Sequence, residues 1–260
     1  MSIFHRAELI LGKDSMHNLA SKKVILFGIG GVGSWCAESL IRTGIMDLTI
    51  VDSDRVTASN INRQLMATSK TVGEVKTEAL RNRLLDINPE AQITSLQKIY
   101  SKETSSDFNL NEYDVIIDAI DSLGSKVHLI RAATQTDALF VSSMGAALKV
   151  DPTRVRVDEF WNVQGCPLAR KIRKLVRKVG VPQRPFLCVY SDEVMENIGA
   201  EEITEPISKE ETTDTTGPGD PDLVNHDWSD HKAVINGSLA HITAIFGFTL
   251  AGLIIKELTQ

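Results

Sequence analysis

Through the first 150 residues, short apolar runs alternate with longer stretches whose apolar residues recur at helical spacing. Val24 to Phe27, Leu48 to Val51, Val115 to Ile117 and Leu139 to Val141 are compact runs rich in β-branched residues, as a strand buried on both faces requires. Ala91 to Leu96 alternates like a further strand. Val32 to Ile41 has helical apolar spacing, and Val75, Ala79, Leu80, Leu84 and Ile87 form a stripe within Gly73 to Ile87 that stops before Asn88 and Pro89. Strands alternating with helices predict an α/β fold: a doubly wound, mostly parallel sheet covered on both faces, with right-handed crossovers. After Lys149 the pattern changes. Thr153 to Val157 reads as an antiparallel addition, and Pro167 to Val179 as a helix with Leu168, Ile172, Leu175, Val176 and Val179 on one side. Ser238 to Leu258 reads as a closing core helix. Residues 1–150 are therefore expected to form the core, with 151–260 a C-terminal extension of the same domain. Residues 201–232, rich in Glu, Asp, Thr, Pro and Gly, are expected to be a mobile loop.

Gly28, Gly30 and Gly33, with Gly31 between them, have GxGxxG spacing directly after a strand and at the opening of a helix. Glycines there let backbone N–H groups approach a phosphate, and the helix N-terminus favours its charge. The fold is thus Rossmann-like. Asp52 ends the next strand, where a carboxylate can accept hydrogen bonds from a ribose diol. The alternative is a tight turn without a ligand, and the motif alone does not separate a dinucleotide from ATP. Asp54, Asn60, Arg63, Gln64 and Lys76 follow. Arg63 and Lys76 suit a triphosphate, whose extra charge needs cations, although single basic residues are often merely solvated. Asp118 and Asp121 follow the strand Val115 to Ile117, at a carboxyl end that faces the ligand crevice of such folds. Asp121 is the better Mg²⁺ candidate, and Asp118 is expected to cap the following helix.

Composition changes the picture mainly through charge. The 260 residues sum to −6, which taken alone argues against nucleic acid. However, residues 201–222 carry −7, leaving +1 for the remainder, and residues 148–190 carry +7. The candidate helix 167–179 holds Arg170, Lys171, Arg173, Lys174, Arg177 and Lys178 on its outer faces, a candidate RNA surface that also admits a membrane-surface or purely solvated reading. The three cysteines, Cys36, Cys166 and Cys188, form no CxxC pair, which excludes a four-cysteine zinc site and favours a reducing, cytoplasmic compartment. Val234 to Ile255 lacks Asp, Glu, Lys and Arg over 22 residues. Its Asn, Ser, His and Thr residues favour a core helix over stable membrane insertion.

Taken together, GIGGVGS, DSDRVTASNINRQ, VGEVKTEAL and DAIDS resemble the adenylate-forming (ThiF-like) superfamily of ubiquitin-activating and molybdopterin-synthase-activating enzymes. The resemblance implies attack of a carboxylate on the α-phosphate of ATP. It assigns the ribose to Asp52, the phosphates to Asn60, Arg63 and Lys76, and Mg²⁺ to Asp121. Arg6 in HRAELILG matches an arginine that reaches the neighbouring subunit's γ-phosphate, which implies a homodimer with an N-terminal dimer arm. Ser143 to Ala146, Lys149 to Thr153, Cys166 to Arg170 and Val189 to Ser191 resemble one branch in particular, the tRNA threonylcarbamoyladenosine dehydratases. That branch implies a tRNA partner, cyclisation of threonylcarbamoyladenosine beside the anticodon, and release of AMP and pyrophosphate. A monovalent cation and a sulfur-relay protein partner are further implications of the superfamily. Cys166 and Cys188 are read as buried rather than catalytic, and His241 as a packed or pocket-edge residue. The alternatives are an adenylyltransferase activating a ubiquitin-like sulfur carrier, a dinucleotide-binding redox protein and a membrane-attached adaptor.

Overall fold

A computed structural model of the chain describes residues 2–199, 219–223 and 236–260. Seven strands form one sheet: β1 (Lys23–Phe27), β2 (Asp47–Val51), β3 (Gln92–Leu96), β4 (Val115–Asp118), β5 (Leu139–Ser143), β6 (Val155–Glu159) and β7 (Leu187–Ser191). Their order is β3-β2-β1-β4-β5-β7-β6. Every pairing is parallel except β6 with β7, so the antiparallel addition is an edge strand. The direction of the chain therefore changes sides between β1 and β4, where β1 leads to β2 on one flank and β4 to β5 on the other. Such a switch point opens a crevice at the carboxyl ends of the strands.

Among the described residues there are seven α-helices: α1 (His5–Leu11), α2 (Lys13–Ser21), α3 (Gly33–Thr43), α4 (Lys76–Ile87), α5 (Leu123–Ala133), α6 (Pro167–Val179) and α7 (Ala240–Thr259). Alternation along the buried strands sends Val24 and Leu26 to one face and Ile25 and Phe27 to the other. The first face packs against α3, α4 and α7, and the second against α5 and α6. The closing helix begins at Ala240, two residues later than the apolar pattern suggests. It is long and apolar enough to cross a membrane, yet Ile242, Phe246, Leu250 and Ile254 are fully buried in the protein core. Gly247 lets it press on α3, where an added Cβ would lie 2.5 Å from the Val32 carbonyl oxygen. On α6 the buried stripe is Ala169, Ile172 and Val176, whereas Val179 is exposed, because the helix ends there and the chain turns away at Gly180. The acidic segment expected to be mobile, 201–232, lies outside the described residues apart from 219–223. Within that piece, the Asp220 amide donates to Gln97 Oε1 at 2.7 Å.

Candidate nucleotide and carboxylate-activation site

The turn from β1 into α3 forms one wall of the crevice. Gly28 has φ +81°, and a Cβ on it would lie 2.7 Å from the Ala119 carbonyl oxygen; on Gly33 it would lie 1.9 Å from the Gly28 oxygen. Those two positions are glycine because the protein itself leaves no room. Gly31 backs onto Thr243 of α7. Gly30 differs, since within 4 Å its Cβ would meet only Gln64 Nε2, at 3.8 Å. Gln64 is buried, and its Oε1 has no hydrogen-bond partner among the described residues. Open space over a glycine beside an orphaned acceptor suits a polar, phosphate-bearing ligand against the turn.

Asp52 is fixed at the opposite wall. Its Oδ2 accepts from the Ile29 amide at 2.9 Å and its Oδ1 from the Asp54 amide at 3.0 Å, which ties the end of β2 to the glycine turn. Lys76, the buried first residue of α4, donates to Asp54 Oδ2 at 2.7 Å and lies 3.9 Å from Asp52 Oδ1. The ammonium assigned to phosphate is thus already held between two carboxylates at the rim of the same crevice. Asn60 closes a capping box with Thr57, accepting its amide at 3.2 Å, so its side chain shapes the 57–64 turn. Two bonds dock that turn on α3. Trp35 Nε1 donates to the Arg63 carbonyl at 3.1 Å, and the Leu65 amide donates to Ser34 Oγ at 3.2 Å. The Ser34 hydroxyl in turn donates to the Gly30 carbonyl at 2.7 Å. Arg63 donates to the Ser59 carbonyl and to Asn62 Oδ1. Burial lowers its pKa while the charge of Asp121 opposes that shift, so the two groups lie within electrostatic reach. Asp121 itself is exposed in the loop after β4.

Asp118 does not cap α5, whose N-cap is Ser122. It is instead fully buried, with Oδ2 accepting from Lys126 Nζ at 2.8 Å and from the Ser142 hydroxyl at 2.7 Å. Lys126 also donates to the Ile120 carbonyl at 3.0 Å, so the pair fixes the loop that carries Asp121. Lys126 was not legible as a site residue, since only the fold buries a lysine of an ordinary helical run. A second feature lies beyond the carboxyl end of β5, where the sequence marks Lys149 to Thr153 by resemblance alone. Leu148 takes the left-handed conformation (φ +57°), which is costly for a bulky residue, and Lys149 donates to the Glu193 carbonyl at 2.5 Å. Glu193 Oε2 accepts the Val150 and Asp151 amides, and the exposed His241 has its Nε2 3.1 Å from the Val150 carbonyl oxygen.

Two groups of expected site residues lie away from the glycine turn. Arg6 is exposed on α1, whose preceding residues Ile3 and Phe4 share a cleft with Arg42, Asp86 and Ile87 at the far ends of α3 and α4. The chain therefore does not bring Arg6 to its own crevice. On α6, Arg170, Lys171, Lys174, Arg177 and Lys178 are exposed, while Arg173 is half-buried and donates to the Phe160 carbonyl at 2.9 Å. All three cysteines are buried free thiols, and burial pushes the Cys36 and Cys188 thiols up, away from the reactive thiolate.

A family model described as the ThiF family matches residues 5–260. The tRNA threonylcarbamoyladenosine dehydratase of Bacillus subtilis is 38% identical over 190 residues, covering 73% of this chain and 74% of that protein. The Escherichia coli enzyme of the same name is 33% identical over 197 residues, covering 72% of each. The crystal structure of E. coli tRNA N6-threonylcarbamoyladenosine dehydratase, TcdA, in complex with ATP superposes with a TM-score of 0.79 at 27% identity, covering 98% of this chain and 93% of that one. With the glycine turn, the strand-end carboxylates and these likenesses in agreement, the chain belongs to the ThiF family, on the branch of the tRNA threonylcarbamoyladenosine dehydratases.

Proposed function

We propose that this chain dehydrates threonylcarbamoyladenosine in tRNA at the expense of ATP. A threonyl carboxylate oxygen attacks the α-phosphorus, the bond to pyrophosphate breaks, and an acyl adenylate forms. A nitrogen of the same side chain then attacks the acyl carbon, loses its proton to solvent and expels AMP, leaving the cyclic product. The observation that carries this reading is the convergence of Gly30, Gln64, Asp52, Lys76 and Arg63 on one crevice in a chain whose relatives carry that name. Asp52 is the ribose acceptor, and Asn60 and Gln64 shape and line the phosphate turn. Arg63 and Lys76 supply positive charge, because a carboxylate approaches the shielded α-phosphorus only once that charge is offset. The ionised nucleophile needs no general base. Mg²⁺ is commonly held by one or two carboxylates plus phosphate oxygens, and Asp121, exposed and within the field of Arg63, fits that donor set. A Mg²⁺ held by Asp121 would offset phosphate charge.

The finer parts of the reading are a homodimer in which Arg6 crosses to the partner's ATP, a cytoplasmic location, and tRNA docking on Arg170, Lys171, Arg173, Lys174, Arg177 and Lys178. The remoteness of Arg6 from its own crevice supports the first. A sulfur-relay partner gains no support from the three buried thiols, and a monovalent cation has no assigned ligands. Mass spectrometry of tRNA bearing threonylcarbamoyladenosine, incubated with the protein and ATP, should show loss of water at the modified nucleoside together with AMP. Unchanged tRNA, with ATP–pyrophosphate exchange that depends instead on a small carrier protein, would move the assignment to carrier activation.

A further inference from the structure

One large aromatic side chain on the basic flank has no role in the fold that requires its position in solvent. Trp161 follows β6 and is 38% exposed, while its neighbour Phe160 is fully buried and stacks on Phe186 at 4.9 Å. The Arg177 guanidinium of α6 lies over the indole, 5.3 Å from the ring centroid. The indole is held rather than dangling. The Trp161 amide donates to Glu159 Oε2 at 3.1 Å, Phe160 meets its ring edge-on at 5.1 Å, and Arg173 ties down the Phe160 carbonyl. The carboxylates of Asp158 and Glu159 are engaged in anchoring this turn, by the Glu159 and Trp161 amides and by Asn162 Nδ2.

We infer that Trp161 and Arg177 form a stacking platform for an unpaired RNA base several nucleotides from the reacting nucleoside, an assignment that rests on the tRNA reading above. Single-stranded RNA is gripped by aromatic faces and guanidinium planes set among cations, because every base has a π-face and every linkage a charge. The platform meets both demands, since Lys174, Lys178 and Arg177 are exposed on the same helix. The topology sets its separation from the crevice. Leu168, at the start of α6, packs by Gly145 beyond the carboxyl end of β5, and antiparallel β6 carries the chain to the opposite end of the sheet before Trp161. Arg177 is ten residues along α6 from Pro167, about 15 Å at 1.5 Å per residue, so a loop whose modified adenosine enters the crevice meets the platform several nucleotides away. A lipid surface would instead want several apolar side chains beside the indole, whereas Asn162 and Gln164 are its exposed neighbours.

Binding of tRNA bearing threonylcarbamoyladenosine to the full chain tests this. Trp161→Ala should weaken binding between about 5-fold and 150-fold, the range for loss of one base–aromatic stack, without changing the slope of log Kd against log salt. Trp161→Phe should restore most of the affinity, and tRNA should quench indole emission strongly in the parent protein but weakly in Trp161→Phe. The charge-reversed Lys174→Glu/Lys178→Glu protein should bind weakly with a shallower salt slope. If Trp161→Ala binds normally while the charge reversal does not, the platform is wrong and the tRNA surface stands. If both bind normally, α6 docking fails as well. Loss of binding in Trp161→Ala that Trp161→Phe does not rescue, or a blue-shifted emission on anionic phosphatidylserine vesicles with no response to tRNA, would also overturn the platform.

Discussion

Gly30 and Gly33 stand three residues apart in one turn and should respond to an added methyl group in opposite ways. At Gly33 the methyl would enter the Gly28 carbonyl, so Gly33→Ala should lower Tm by several degrees or prevent folding. At Gly30 the only neighbour within 4 Å among the described residues is 3.8 Å away, so Gly30→Ala should leave Tm unchanged while titration calorimetry shows ATP binding at least about tenfold weaker. Equal losses of stability in both variants would refute the distinction. Lys126 and Asp118 are a third case, an ion pair with no solvent access. Lys126→Met removes one partner and strands the other charge, and urea denaturation should show a loss of about 3–5 kcal/mol. Replacing both partners with apolar residues should recover much of it. Both glycines were legible in the sequence, because their spacing after a strand is dictated by the turn. Lys126 was not, since its burial comes from the placement of α5 over the end of β4, which no local pattern encodes.

The helices that position these residues are braced by charge as well as by packing. Glu38 of α3 is buried, and it accepts from Arg83 Nε of α4 at 2.6 Å and from Arg42 Nε at 2.9 Å. Burial by itself would raise its pKa, but the Arg83 and Arg42 bonds outweigh it and hold the carboxyl below its ordinary 4.5. A carboxylate depressed in this way contributes stability that is present above its ordinary value and disappears as pH falls through the folded-state value. Glu38→Gln should therefore be less stable than the parent by about 1–2 kcal/mol at pH 7, with the gap closing below pH ~4.5; a gap independent of pH would assign the loss to packing. At this scale most of the architecture could be read in advance. The runs Val24 to Phe27 and Leu48 to Val51 became β1 and β2, and Pro167 to Val179 became α6 with the same limits. β7 was read only as a motif, because Leu187 to Ser191 is short and follows Pro182 and Pro185, and its insertion between β5 and β6 is a long-range pairing. Asp118 was misread as a cap because a strand-end aspartate before a helix looks the same whether it meets an amide or a buried lysine.

For the molecule as a whole, net charge is a poor guide to partners. The −6 coexists with a flank on which one helix carries six cations, and tRNA affinity should fall steeply with salt. Reversing Lys174 and Lys178 should reduce tRNA binding while leaving the ATP Kd within about twofold, because the crevice holds its own charges at Arg63 and Lys76. A parallel loss of ATP affinity would place α6 at the nucleotide instead. The packing of α7 on α3 has a different consequence. Thr243 backs the Gly31 peptide and Gly247 seats against Val32, so the phosphate turn is supported by residues made about two hundred positions later. During synthesis the turn emerges early, but it has no floor until the chain has been extended through Thr259. Chains that lack α7 should therefore display the apolar face of α3 and be unable to hold ATP, which makes nucleotide occupancy a marker that α7 has docked and leaves the shorter chain a client for chaperones.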